Sequence, residues 1–179
     1  MNELSLHILD IVQNSISANS SVITIEIRED IESDVFKICI TDNGKGIDKE
    51  MLEKVTDPYV TSRTTRKVGM GLALLKQNAE MTGGKVVVES NIGNGTKVSV
   101  QFGYSHLDRP ILGDIAGTIS VLVTSNPEID FVYKHSKGLK NYCFDTLEVK
   151  RVLEGVPISD PFVFKYLKEM IVANLKEIY

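Results

Sequence analysis

The chain has 179 residues and a formal net charge of -4, a length that suits one compact domain or a domain with a smaller appendage. The acidic balance offers no basic field for nucleic acid, and no apolar run approaches the roughly 20 residues needed to span a bilayer. The start, Met1-Asn2-Glu3-Leu4, lacks the basic, apolar pattern of a signal peptide, and Cys39 and Cys143 have no metal-ligand or disulfide spacing, so a cytoplasmic protein is expected.

Residues 4–18 read as a helix, with Leu4, Ile8, Ile11, Val12, Ser15 and Ile16 near one face. Residues 22–28 and 35–41 read as strands, and the charged stretch 29–34 between them as the turn of a hairpin. A short helix over 48–55 is capped by Asp48, and residues 56–70 form a long polar loop. A second long helix, 72–81, stops at Gly83-Gly84, and a second hairpin pairs 85–90 with 96–102 around a turn at 91–95. Beyond a connector at 108–113, residues 114–125 suit a helix capped by Asp114, although 119–123 fit a strand equally. Strands follow at 129–135 and 141–144, turned by 136–140, then a helix from Asp145 to Leu153. A last helix opens at Asp160-Pro161 and runs to Ile178, its apolar face formed by Phe164, Leu167, Ile171, Leu175 and Ile178. Hairpin strands with helices to cover one face predict an α+β fold, a two-layer sandwich with a small C-terminal α+β extension. The division expected is 1–104 and 105–179, with the last helix packing on its own region or on the first.

Four features carry chemistry. The first helix bears a polar stripe, Glu3, His7, Asp10, Asn14 and Ser17, at spacings of three and four. Asp10 and Asn14, one turn apart, could hold a water and a hard cation; a solvated helix face is the plainer alternative. Thr41-Asp42-Asn43-Gly44-Lys45-Gly46-Ile47 follows a buried-type strand, where a carboxylate can accept from an exocyclic amine and glycines let a planar ring approach; the same residues also suit a tight turn. Gly69-Met70-Gly71-Leu72-Ala73-Leu74 opens a helix and exposes backbone N–H groups suited to an anion, without a Walker or Rossmann pattern. Gly93-Asn94-Gly95-Thr96 starts the last strand of this region and is a bare turn when taken alone.

In this order and spacing the features resemble the GHKL superfamily of gyrase, heat-shock chaperones, histidine kinases and MutL-type repair proteins, over about residues 1–103. Residues 10–18 look like the N box, 42–47 like the first glycine box, and 57–63 like the F box of histidine kinases. Residues 69–74 look like the second glycine box, and Gly95-Thr96 like the third. The resemblance implies a Bergerat ATP-binding fold using ATP and Mg2+. It implies that Asn14 coordinates magnesium, and that Asp42 accepts from the adenine amine with help from Thr96 and a water. Gly44 and Gly46 would pack near the base, and Leu74 or its neighbours would wall the pocket. A lid over 60–71 would bring Thr61, Ser62 and Arg63 to the nucleotide, and Gly69, Met70, Gly71 and Leu72 to the phosphates.

Asp10 stands where hydrolysing members carry a glutamate that orients the attacking water, so it is the candidate general base with a shorter reach. The motifs begin near Met1, so no phospho-accepting helix is expected upstream, and His7 is read as a second-shell or surface residue rather than a phospho-acceptor. The resemblance therefore implies a phosphotransferase like the anti-sigma serine kinases, acting on a partner protein. A slow ATPase that switches a partner, or a nucleotide sensor without turnover, are the alternatives. A homodimer is compatible with each, and no nucleic acid or membrane partner is expected.

Overall fold

The computed structural model describes residues 3–55 and 71–179. The described elements run α1 (Leu4–Ser17), β1 (Val22–Asp30), β2 (Val35–Asp42), α2 (Lys49–Lys54), α3 (Gly71–Met81), β3 (Lys85–Asn91) and β4 (Gly95–Gly103). They continue with α4 (Ile115–Ser125), β5 (Asp130–Lys137), β6 (Lys140–Asp145), α5 (Thr146–Val152) and α6 (Pro161–Ile178). The strands form one six-stranded sheet in the order β3-β4-β2-β1-β5-β6. Neighbours are antiparallel except β1 and β5, which pair parallel from Val22↔Asp130 to Glu29↔Lys137. The fold is the expected α+β sandwich. Among the described residues no helix is long and apolar enough to cross a membrane.

Side chains alternate across a strand, so each strand offers one face to the helices. Ile23, Ile25 and Ile27 of β1, Phe36, Ile38 and Ile40 of β2, and Val98, Val100 and Phe102 of β4 supply the buried face. Phe131 and Tyr133 of β5 and Phe144 of β6 extend it. Against it pack Leu4, Ile8, Ile11 and Val12 of α1, Leu75 and Ala79 of α3, and Ile119, Leu122 and Val123 of α4. Each such side chain contributes about 1.5–3 kcal/mol by leaving water. The C-terminal strands do not form a sheet of their own. They lengthen the first one, and β5 covers what would be the open edge of β1. On α6 the buried stripe is Val163, Leu167, Ile171, Leu175 and Ile178. Val163, not Phe164, begins it: both spacings to Leu167 suit a helix face, and packing buries Val163 while Phe164 is half-buried.

Beyond the β1–β5 ladder, two groups of polar contacts help bind the C-terminal region to the rest. Helix α1 has no side-chain N-cap. Its first N–H groups donate instead to the connector, Leu4 to the Ile111 carbonyl and Ser5 to the Leu112 carbonyl, both at 2.9 Å. Asp114 caps α4 through the Gly117 N–H at 2.9 Å, while its second oxygen accepts from Lys168 of α6 at 2.6 Å. Lys168, followed by the Gly117 N–H, holds the Asp114 carboxyl below the usual aspartate range.

The second tie narrows the expected turn from 29–34 to 31–34. Strand β1 runs on to Asp30, and Glu29 is only 4% exposed. Its Oε1 accepts from His135 Nε2 at 2.8 Å and from the Tyr179 hydroxyl, and its Oε2 lies 3.9 Å from Lys137 Nζ. The other ring nitrogen, Nδ1, meets the Tyr133 hydroxyl at 2.7 Å. A glutamate is placed inside because β5 and the end of α6 bring donors to it, which local composition does not encode. Burial pushes the Glu29 carboxyl up, but hydrogen bonds from His135 and Tyr179 and the pull of His135 and Lys137 leave it below the ordinary range. Burial also raises the phenols of Tyr133 and Tyr179, and pushes Tyr142 up to about 12.

Removing the acid orphans these donors. Glu29→Leu should therefore cost on the order of 3 kcal/mol in urea unfolding at neutral pH. A carboxyl depressed by folding stabilises above its unfolded pKa, and that stabilisation fades as pH falls through its folded value. The gap between wild type and Glu29→Leu should accordingly shrink as pH drops below the ordinary glutamate range. A gap that stays constant down to about pH 3 would show that ionised Glu29 is not the stabilising form.

Candidate nucleotide site

Alternation places Asp42, the last residue of β2, on the same inward face as Phe36, Ile38 and Ile40. It is a buried acid, 8% exposed, at the end of a strand. Four donors reach it. Ser15 Oγ of α1 donates to Oδ2 at 2.6 Å. The Gly44 N–H at 2.9 Å, the Ser20 hydroxyl at 3.1 Å and the Thr96 N–H at 3.3 Å all approach Oδ1. Thr96 thus meets Asp42 through its backbone. Its hydroxyl lies 2.9 Å from Ser90 Oγ.

The loop after β2 is strapped on both sides. The Lys45 N–H donates to the Ala18 carbonyl at 2.9 Å, and the Lys45 carbonyl accepts from the Gly93 N–H at 2.8 Å. The Ile47 N–H donates to Ser90 Oγ at 2.8 Å. Asn43 accepts from the N–H groups of Ser21 and Val22 at 2.9 and 3.0 Å, closing the turn between α1 and β1. Gly46 has φ +73°, and a Cβ there would collide with the Asn91 carbonyl. Gly95, φ +81°, faces the Asp42 carbonyl as closely. Both positions need glycine for backbone conformation and for approach.

The middle of the polar stripe of α1, His7 and Asp10, looks toward α3. His7 is 1% exposed, and its Nε2 lies 3.3 Å from Asn78 Nδ2 of α3. It is a packing residue between helices and not a surface one. One turn on, half-buried Asp10 lies over Gly71, the first residue of α3, so closely that a Cβ at Gly71 would overlap its carboxylate. Asn14, a further turn along, is exposed. Leu72 is half-buried against the core, whereas Leu74 is 37% exposed. The structure therefore gathers Asp10, Asn14, Asp42, Gly44, Gly46, Gly71, Leu72 and Thr96 around the end of α1, the start of α3 and the loop after β2. Thr61, Ser62, Arg63, Gly69 and Met70, the expected lid and the F box lie outside the described residues.

Ser15, Ser20 and Ser90 are the site residues that the sequence reading did not single out. Ser15 carried a signal: a hydroxyl on the apolar face of α1 must find a partner.

Residues 2–106 match the family described as histidine kinase-, DNA gyrase B-, and HSP90-like ATPase. The chain belongs to that family. It carries the family's ATP-binding domain over those residues. Over 116 residues it is 34% identical to the non-motile and phage-resistance protein of Caulobacter vibrioides, covering 60% of this chain and 14% of that protein. Over 71 residues it is 39% identical to histidine protein kinase DivJ of the same organism, covering 37% of this chain and 12% of the relative. The chain thus spans a small part of the length of these relatives. Its fold is similar to that in a crystal structure of the N-terminal domain of a DNA repair protein, with a TM-score of 0.60 at 19% identity. That match covers 80% of this chain and 52% of the other.

A strained residue at position 46 would distort the strapped loop by about 1–3 kcal/mol. Gly46→Ala should lower ATP affinity roughly tenfold in calorimetry. Undiminished affinity with a lowered melting temperature would confine this loop to a folding role.

Proposed function

We propose that the chain binds Mg-ATP in this site and passes the γ-phosphoryl group to a partner protein. The observation that carries the reading is Asp42: a buried carboxylate at a strand end, held by four donors from separate segments and still short of a full set of partners. An acceptor so placed suits the exocyclic amine of adenine. The donor set also fits the metal. Among the described residues no group of three or more His, Cys, Asp or Glu side chains is placed to hold a metal ion. Magnesium needs few protein ligands when phosphates supply the rest. The exposed amide of Asn14 would hold it, and the metal would neutralise charge on the phosphates.

The chain's own groups divide the remaining work. Asp42 orients the base. The α1 stripe and the start of α3 face the phosphate end, where the N–H groups of a helix terminus favour an anion. Asp10 lies over Gly71, and in this reading its carboxylate accepts a proton from an incoming hydroxyl. One relative, DivJ, is a histidine protein kinase, which supports transfer to a protein. Asp10 also favours a second reading, a slow ATPase in which water replaces the partner's hydroxyl. A sensor without turnover would need no carboxylate there.

Asn14→Ala should abolish magnesium-dependent ATP binding; tight Mg-ATP binding by the variant would remove Asn14 from the metal site. Asp10→Ala should spare affinity and reduce phosphoryl transfer on the order of a hundredfold or more. The assay uses γ-labelled ATP with partners recovered in its presence. Label on the partner supports the kinase reading, free labelled phosphate from the pure chain supports the ATPase, and binding with neither supports the sensor.

A further inference from the structure

We propose that Ser15 is a positioning and specificity residue that, with Ser20 in support, fixes which oxygen of Asp42 reads the purine. The proposal rests on the reading above, in which Asp42 faces the base. The two carboxylate oxygens have unequal surroundings. Oδ1 receives two backbone N–H groups, from Gly44 and Thr96, and the Ser20 hydroxyl. A carboxylate oxygen offers about two lone-pair sites, so Oδ1 is closed. Oδ2 receives only Ser15 Oγ, at 2.6 Å. One acceptor site remains, and it is on Oδ2.

The hydroxyls are also ranked. Ser20 has a single proton, shared between the Ser15 carbonyl at 2.7 Å and Asp42 Oδ1 at 3.1 Å. Its first duty is to hold the end of α1. Ser15 is 4% exposed, and Asp42 is the one partner that its proton meets. Gly44 makes the arrangement possible, since a Cβ there would stand 2.6 Å from Ser20 Oγ. Asp χ2 is intrinsically broad. Without Ser15 the carboxylate is pinned at one oxygen only, and its second oxygen is held by no donor among the described residues. With Ser15 in place, Oδ2 stays an acceptor in one orientation. It then takes a 6-amino purine and faces the oxygen of a 6-oxo purine with like polarity.

The test measures Mg-ATP and Mg-ITP affinities of the full chain by calorimetry, for wild type, Ser15→Ala, Ser15→Thr, Ser20→Ala and Asp42→Asn. Inosine triphosphate differs from ATP at the 6-position that the site would read. Ser15→Ala should cut the ATP-over-ITP preference about tenfold, mostly through weaker ATP binding. Ser20→Ala should cut it less, and Ser15→Thr should restore it. A purely structural serine would lower the melting temperature and leave the ratio alone. If Asp42→Asn collapses the preference while Ser15→Ala preserves it, the role of Ser15 is overturned and the site stands. If Asp42→Asn itself leaves the preference intact, the site reading fails and this inference with it.

Discussion

The architecture turns on one buried carboxylate that no single element can satisfy. Asp42 ends β2, yet its donors come from α1, from the turn after α1, from the loop after β2 and from the start of β4. A buried carboxylate costs several kcal/mol unless donors are brought to it. The helix, the central hairpin and the third turn must therefore be in register at once before the charge is tolerated. The packing of Ile8, Ile11 and Val12 against Ile23, Ile38 and Ile40 brings α1 onto the sheet. The hydroxyl of Ser15, on that same face, converts the packing into a polar junction. Hydrophobic burial sets the distance between the layers, and the junction sets the angular position of α1.

Because α1 carries Ser15, Asp10 and Asn14, whatever fixes α1 also tunes the site. Its N-terminus is capped by carbonyls of Ile111 and Leu112, which belong to the connector after β4. The segment beyond this connector adds β5 and β6 to the sheet and packs α6 on α4. The C-terminal region is thus coupled to the site through the backbone of one helix. Its hydrogen bonds are made at the end of α1 opposite to Ser15. A displacement of the connector would move α1 along its axis, and His7 and Asp10, facing α3, would move with it.

Periodicity made the elements legible, and the order and spacing of the motifs carried the resemblance to the family that residues 2–106 match. What the sequence hid has a common cause: contacts between residues far apart in the chain. The charged residues 29–34 looked like a turn, because the partners that let Glu29 enter the core, His135 and Tyr179, lie more than a hundred positions away. The parallel pairing of β1 with β5 is equally non-local, whereas hairpins announce themselves through their turns. Helical spacing allowed both Val163 and Phe164 on the inner face of α6, four and three residues before Leu167, and packing buries Val163 while Phe164 is half-buried. Ser15 was counted with the apolar face of its helix, correctly for burial, but burial was also the reason to look for its partner.

The two buried acids described on the sheet have different surroundings. In the β1–β2 ladder Asp42 pairs with Ile23 at one end and Glu29 with Phe36 at the other. Both are nearly inaccessible and both accept from distant elements. Glu29 has a donor or a cation at each oxygen, and the rings of Tyr179 and His135 stand edge to face over it, 5.9 Å apart. Its charge is consumed in holding β5 and α6 to the sheet. Asp42 is held as firmly, but unevenly, with one oxygen closed and the other carrying a single serine. Rigid support with incomplete satisfaction is the condition for reading a ligand, since the missing partner must arrive from outside. On the proposed reading the open acceptor of Asp42, on Oδ2, is completed by the amine of the purine, whereas Glu29 turns its Oε1 to His135 and Tyr179 and faces Lys137 across 3.9 Å with the other oxygen.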